Sequence, residues 1–134
     1  MSLKITLKPH ERMILAGAAI TNGSSTANLT IENNVPILRK KDILKDEDAT
    51  SPGRRIYFVI QLMYLDQENR VSYQGRYWEL IRDIVQAAPS LKPVINEINE
   101  HVIGGRYYAA LKAGKKLIKD EEAILSRGEK SIKG

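Results

Sequence analysis

The chain has 134 residues, 21 Lys and Arg against 16 Asp and Glu, a net charge of +5 and no cysteine. That length suffices for one compact unit of two subdomains without covalent staples. The missing cysteine excludes disulfide scaffolds, zinc ribbons and thiol catalysis, and the positive balance favours an anionic partner such as nucleic acid.

The chain opens with the alternation Leu3-Lys4-Ile5-Thr6-Leu7-Lys8, which has none of the features of a secretory signal. The longest apolar run, Ile56 to Leu65, is interrupted by Gln61 and is about half the length a bilayer span needs. A cytoplasmic protein with no membrane partner is expected. Period-two alternation with β-branched residues predicts five short strands: Lys4 to Lys8, Arg12 to Leu15, Ala18 to Ile20, Thr26 to Glu32 and Pro36 to Arg39. Asn22-Gly23 is the pair that a type I′ hairpin turn requires between the third strand and the fourth, and Asn33-Asn34 is assigned the next reversal. Ala27, Leu29 and Ile31 fall on one face of the fourth strand and Asn28 and Thr30 on the other, so one face of this small sheet is buried and one wet.

From Ser51-Pro52, an N-cap followed by proline at the first helical position, the period changes to 3.6. Ile56, Val59, Ile60, Met63 and Tyr64 share one face of a first helix, with Phe58, Leu62 and Leu65 around it. A second helix carries Tyr77, Leu80, Ile81, Ile84, Val85 and Ala88 and stops before Pro89. Ser90 is read as the cap of a third, with Leu91, Val94, Ile95, Ile98 and Val102 inward and Gly104-Gly105 at its end. A fourth spans about Tyr107 to Leu125. The expected fold is α+β: an antiparallel β subdomain over 1–44, an acidic connector over 45–51, a bundle of about four helices over 52–126 and a polar tail over 127–134.

Little in this sequence is equipped for chemistry. His10 and His101 stand apart from any serine or metal-ligand set, and Glu97 and His101, one turn apart, read as a solvent-facing pair. Asp42, Asp46, Glu47 and Asp48 lack the glycine and terminal glutamate of a calcium loop and read as acids of a short helical turn. No glycine-rich phosphate loop is present. No catalytic residue, metal or cofactor is expected.

The cations are more informative. Arg39, Lys40 and Lys41 close the last strand and Lys8 ends the first, which makes a basic sheet edge able to hold single-stranded RNA by phosphate and base contacts. The same cations would also protect a bare edge from aggregation. Because the β subdomain contains no Phe, Tyr or Trp, it lacks the stacking platform of a typical RNA-binding sheet. Lys112, Lys115, Lys116 and Lys119 form a second basic face, at i, i+3, i+4 and i+7 on the fourth helix; a lysine face also simply solvates a bundle helix. Arg54 and Arg55 oppose the macrodipole at the start of the first helix, with Asp46, Glu47 and Asp48 as the expected ion-pair partners. Tyr73 and Trp78 are the aromatics least forced inward.

Several segments in one order resemble the FlbT family of flagellar regulators: Leu3 to Arg12, the Asn22-Gly23 pair, Leu38-Arg39-Lys40-Lys41-Asp42-Ile43, Arg54-Arg55-Ile56-Tyr57-Phe58 and Tyr107-Tyr108-Ala109-Ala110-Leu111-Lys112. The resemblance implies a cytoplasmic regulator that binds the 5′ untranslated leader of flagellin mRNA and promotes its degradation. A fainter similarity links Thr6, Lys8, Glu11 and the Arg39-Lys40-Lys41 end to the carbon-storage regulator CsrA, and implies Lys8 with Arg39 or Lys40 as RNA contacts. Against this stands a reading as an adaptor or chaperone that binds flagellin or another flagellar regulator through a groove in the bundle. Both readings leave room for a homo-oligomer.

Overall fold

The computed structural model describes residues 2–133, with side chains through 127. Five short antiparallel strands precede four α-helices, and the chain divides into two compact units, Met1–Ile43 and Leu44–Gly134.

In the first unit, β1 (Leu3–Leu7) pairs with β4 (Ala27–Ile31), and β2 (Arg12–Leu15) lies between β3 (Ala18–Thr21) and β5 (Ile37–Arg39). The alternation sets the register: Ile5 lies opposite Leu29 and Leu7 opposite Ala27, while on the wet face Thr6 meets Asn28 in a 3.0 Å side-chain hydrogen bond. Ile5, Leu7 and Met13 are buried, with Leu15, Ile20, Leu29, Ile31 and Ile37 packed on them.

The hairpin expected at Asn22-Gly23 forms elsewhere. Ala16 and Gly17, at φ 51° and 87°, make the two-residue turn between β2 and β3. β3 stays paired to β2 as far as Thr21, so the chain crosses at Asn22 to the other sheet, and β4 joins β1 instead of folding back on β3. Asn22 serves as a brace there. Its amide donates to the carbonyls of Leu7, Lys8 and Ser25, at 3.2, 2.9 and 2.9 Å, and its Oδ1 accepts from Gly23 N–H. Asn33 marks a bend on the way to β5.

In the second unit, α1 (Pro52–Leu65) packs against α2 (Arg70–Ala87) and α4 (Tyr107–Lys133), and α4 also packs against α3 (Lys92–Ile103). Ile56, Ile60, Met63, Tyr77, Ile95, Ile98, Leu111 and Leu117 are its fully buried centre. Ser51 caps α1 as expected, accepting from Arg54 N–H. Gln61 is the one polar side chain buried along α1, and both ends of its amide are satisfied by the backbone of Leu44, at 2.8 and 2.9 Å. Ser90 does not cap α3: a 3-10 turn over Pro89–Leu91 precedes the helix, Leu91 occupies the cap position, and no side chain bonds there. The backbone of α4 continues to Lys133, past the Leu125 expected from the pattern. The side chains of the expected polar tail from 128 onward lie outside the described residues.

Candidate nucleic-acid interface

Lys8, Arg39, Lys40 and Lys41 come together. With Glu11 they line one open hollow of about 570 Å³ in the first unit. Four cations share it with one carboxylate, and the position of each cation follows from local backbone structure.

Lys8 begins a turn closed by Glu11 N–H to Lys8 C=O at 3.1 Å, with Pro9 second and His10 third at φ 63°. Pro at the second position and positive φ at the third are the marks of a type II turn. His10 N–H bonds Gly23 C=O at 2.9 Å, and Asn22 holds Lys8 C=O, so the backbone that carries the Lys8 ammonium is pinned from two sides. The Lys8 side chain itself is exposed.

Arg39 is the last residue of β5, opposite Met13 of β2. Its Nη2 donates to Thr6 C=O at 2.8 Å and to Glu11 Oε2 at 2.7 Å, and Glu11 Oε1 accepts from Lys8 N–H at 2.9 Å. The Lys8 amide first and the Arg39 guanidinium second hold the Glu11 carboxyl below its ordinary pKa. Arg39 is therefore half committed to the fold, joining β5 to β1 and to the turn. Lys40 and Lys41 leave the strand for a 3-10 turn, Lys40–Asp42, that points both into solvent and buries Asp42.

On α4, the buried side consists of Tyr107, Ala110, Leu111, Ala113, Gly114 and Leu117, whereas Lys112, Lys115, Lys116 and Lys119 are all exposed. This second basic face belongs to the other unit. Among the described residues, no group of three or more His, Asp or Glu is placed to hold a metal ion, and no helix is long and apolar enough to cross a membrane. His101 is not paired with Glu97 here; its Nδ1 accepts from Arg106 Nε at 3.2 Å.

The model of the family described as flagellar protein FlbT matches residues 3–125. The chain belongs to the FlbT family. It is 45% identical over 130 residues to the probable flagellum biosynthesis repressor protein FlbT 1 of Bradyrhizobium diazoefficiens, a match covering 96% of this chain and 88% of the relative. It is 40% identical over 127 residues to the protein of that description from Rhodopseudomonas palustris, covering 95% of this chain and all of the relative. To the flagellum biosynthesis repressor protein FlbT of Caulobacter vibrioides it is 33% identical over 129 residues, covering 93% and 90% of the two chains. No solved structure matches.

The FlbT-like segment Arg54 to Phe58 has a structural task in the second unit. Arg54 forms an ion pair with Glu122 of α4, and not with the upstream acids Asp46, Glu47 and Asp48 that sequence proximity suggested. Next to it, the buried Glu121 carboxylate accepts from Ser51 Oγ and from Gly53 N–H, the latter at 2.7 Å, so two consecutive acids of α4 fasten the start of α1. Anions at a helix N-terminus suit its dipole, and the Glu122 carboxylate offsets the unfavourable position of Arg54 there. The structural roles of Glu11, Asn22 and Glu121 were not legible in the sequence, because each rests on a partner distant in the chain. For Glu11 a signal existed: it is the first acid of this FlbT chain, three residues after Lys8.

Proposed function

We propose that this FlbT protein is a cytoplasmic repressor of flagellum biosynthesis that binds the 5′ leader of flagellin mRNA and promotes its degradation. The observation that carries the reading is the convergence of Lys8, Lys40 and Lys41 on one open hollow beside Arg39. Three solvated ammonium groups on a pinned backbone can neutralise successive phosphates of a single strand. The turn through Pro9 and the 3-10 turn after Arg39 hold the lysine backbones in place, so less ordering is required on binding. The names of the relatives, flagellum biosynthesis repressors, supply the regulatory sense. Arg39 acts first as the strut that holds the hollow open and reaches the RNA only beside Glu11.

The test is a fluorescence-anisotropy titration of the whole protein with the 5′ leader of its own flagellin mRNA and with a scrambled leader, at two salt concentrations. Leader-specific binding is expected, with a log–log salt slope of about −2 if three phosphates are neutralised. Replacing Lys8, Lys40 and Lys41 by Gln should remove most of both the affinity and the slope. Equal binding to both RNAs, or none, would overturn the reading.

Val71 and Trp78, exposed seven positions apart on α2, favour a second reading in which the helical unit docks flagellin or another flagellar regulator. A flagellin pull-down with Trp78→Ala as control tests it.

A further inference from the structure

The first unit has no Phe, Tyr or Trp on which a base could stack. The second unit has one, on its basic face. Tyr108, in the first turn of α4, is 41% exposed, and its ring lies 5.9 Å from that of Tyr64 on α1 at an angle of 44°. The Lys112 ammonium stands 5.1 Å from the Tyr108 ring centroid, and Lys116 and Lys119 continue the exposed face along the helix. A ring held from behind by a second ring, open to solvent and followed at helical spacing by cations, combines the two elements that hold single-stranded nucleic acid without sequence preference: a stacking surface and a track for phosphates.

Of the nearby acids, Asp120 lies one turn after Lys116 and offsets the far end of this track, while the other two do not. Glu121 is buried against Ser51 and Gly53, and Glu122 is paired with Arg54, so both are committed to α1. The Lys112 contact with the ring is an exposed cation–π contact, weak enough to be exchanged. When a base takes the ring face, the ammonium is left beside the phosphate of the same nucleotide. An acidic peptide would meet the lysines through its carboxylates alone, whereas each nucleotide carries both a base for the ring and a phosphate for the lysines, which favours RNA over an acidic protein as the occupant.

We propose that Tyr108 is a base-stacking residue for single-stranded RNA and that Lys112 and Lys116 hold the adjoining phosphates. This inference rests on the RNA-binding reading above and adds a second, sequence-tolerant contact site on the helical unit. The experiment is the same leader titration with full-length Tyr108→Phe, Tyr108→Ala and Lys112→Gln, each first checked by circular dichroism for unchanged helix content. Tyr108→Phe keeps a ring and should bind as the parent does. Tyr108→Ala should bind about tenfold more weakly, to leader and scrambled RNA alike, and Lys112→Gln should make the salt slope shallower by about 0.7. If the parent binds the leader and Tyr108→Ala binds equally well, or Tyr108→Phe loses as much as Tyr108→Ala, the stacking site is overturned while the RNA reading stands. If the parent binds no RNA, the RNA reading falls, and the stacking site with it.

Discussion

Arg39 and Glu11, 28 positions apart in the sequence, meet at 2.7 Å, and through that single carboxylate the end of β5 is tied to the turn that presents Lys8. The candidate RNA hollow is thus organised around the one acid among its described lining residues. Removing Glu11 would leave the charge more positive and the geometry looser.

This arrangement predicts a pH dependence. Because the Glu11 carboxyl is held below its ordinary value, the stability it contributes is fully present above the unfolded glutamate pKa of about 4.3 and is lost as pH falls through the lower folded value. Hydrogen exchange of the first-unit amides should therefore be faster in Glu11→Gln than in the parent near neutral pH, with the two converging at acid pH. A constant difference across the range would show that Glu11 does not act through its charge.

Gly114 of α4 has no room for a side chain, since a Cβ there would lie 2.9 Å from Tyr57 Cδ2. Gly114→Ala gains helix propensity but must displace a buried ring of α1. A net destabilisation of about 1–3 kcal/mol is expected, measured by urea denaturation of the helical unit. A neutral or stabilising result would mean that Tyr57 can swing aside.

Glu121→Gln puts an amide N–H where the carboxylate accepts from Ser51 Oγ and Gly53 N–H, and so misfits one of them in a buried place. The cost should be about 1.5–3 kcal/mol. Gly53→Ala should produce a similar loss, because its Cβ would sit 2.8 Å from Glu121 Oε1. The double variant should cost less than the sum of the two, as both break the same contact.

Gly75 presents the opposite case. It lies within α2 and is exposed, and an added Cβ would meet nothing within 4 Å. Gly75→Ala should stabilise the helical unit by about 0.5–1 kcal/mol through helix propensity alone. A loss of stability would show that this position is covered in solution, for instance by a second copy of the chain.

The elements themselves were legible because their signals are local. Ile5 and Leu7 alternate with Lys4 and Thr6, Ile56, Ile60 and Met63 recur at helical spacing, and Ser51-Pro52 marks a helix start; each pattern formed the element it predicts. Pairing was not legible in the same way. Asn22-Gly23 has the composition of a hairpin turn, but what the chain does there depends on β1 lying across the core to receive β4, a contact no window of ten residues contains. The same holds for Arg54, whose acid lies 68 positions away. At the candidate site, the sequence placed Lys8 and Arg39 to Lys41 at strand ends, and the fold brings those ends together. It gave no indication that Arg39 is held by Glu11 and Thr6 and so is partly withdrawn from binding.

The fastening of α1 by Glu121 and Glu122 also matters while the protein is being made. Ile56, Ile60 and Met63 leave the ribosome well before α4, one of the two helices that cover them, and the acids that close that contact follow far down the chain. A ribosome halted on a damaged message before that point would release a chain whose most apolar helix is covered by α2 but not by α4, a form open to proteases and to aggregation. Only a message read past Glu122 yields a chain whose α1 is fastened by α4.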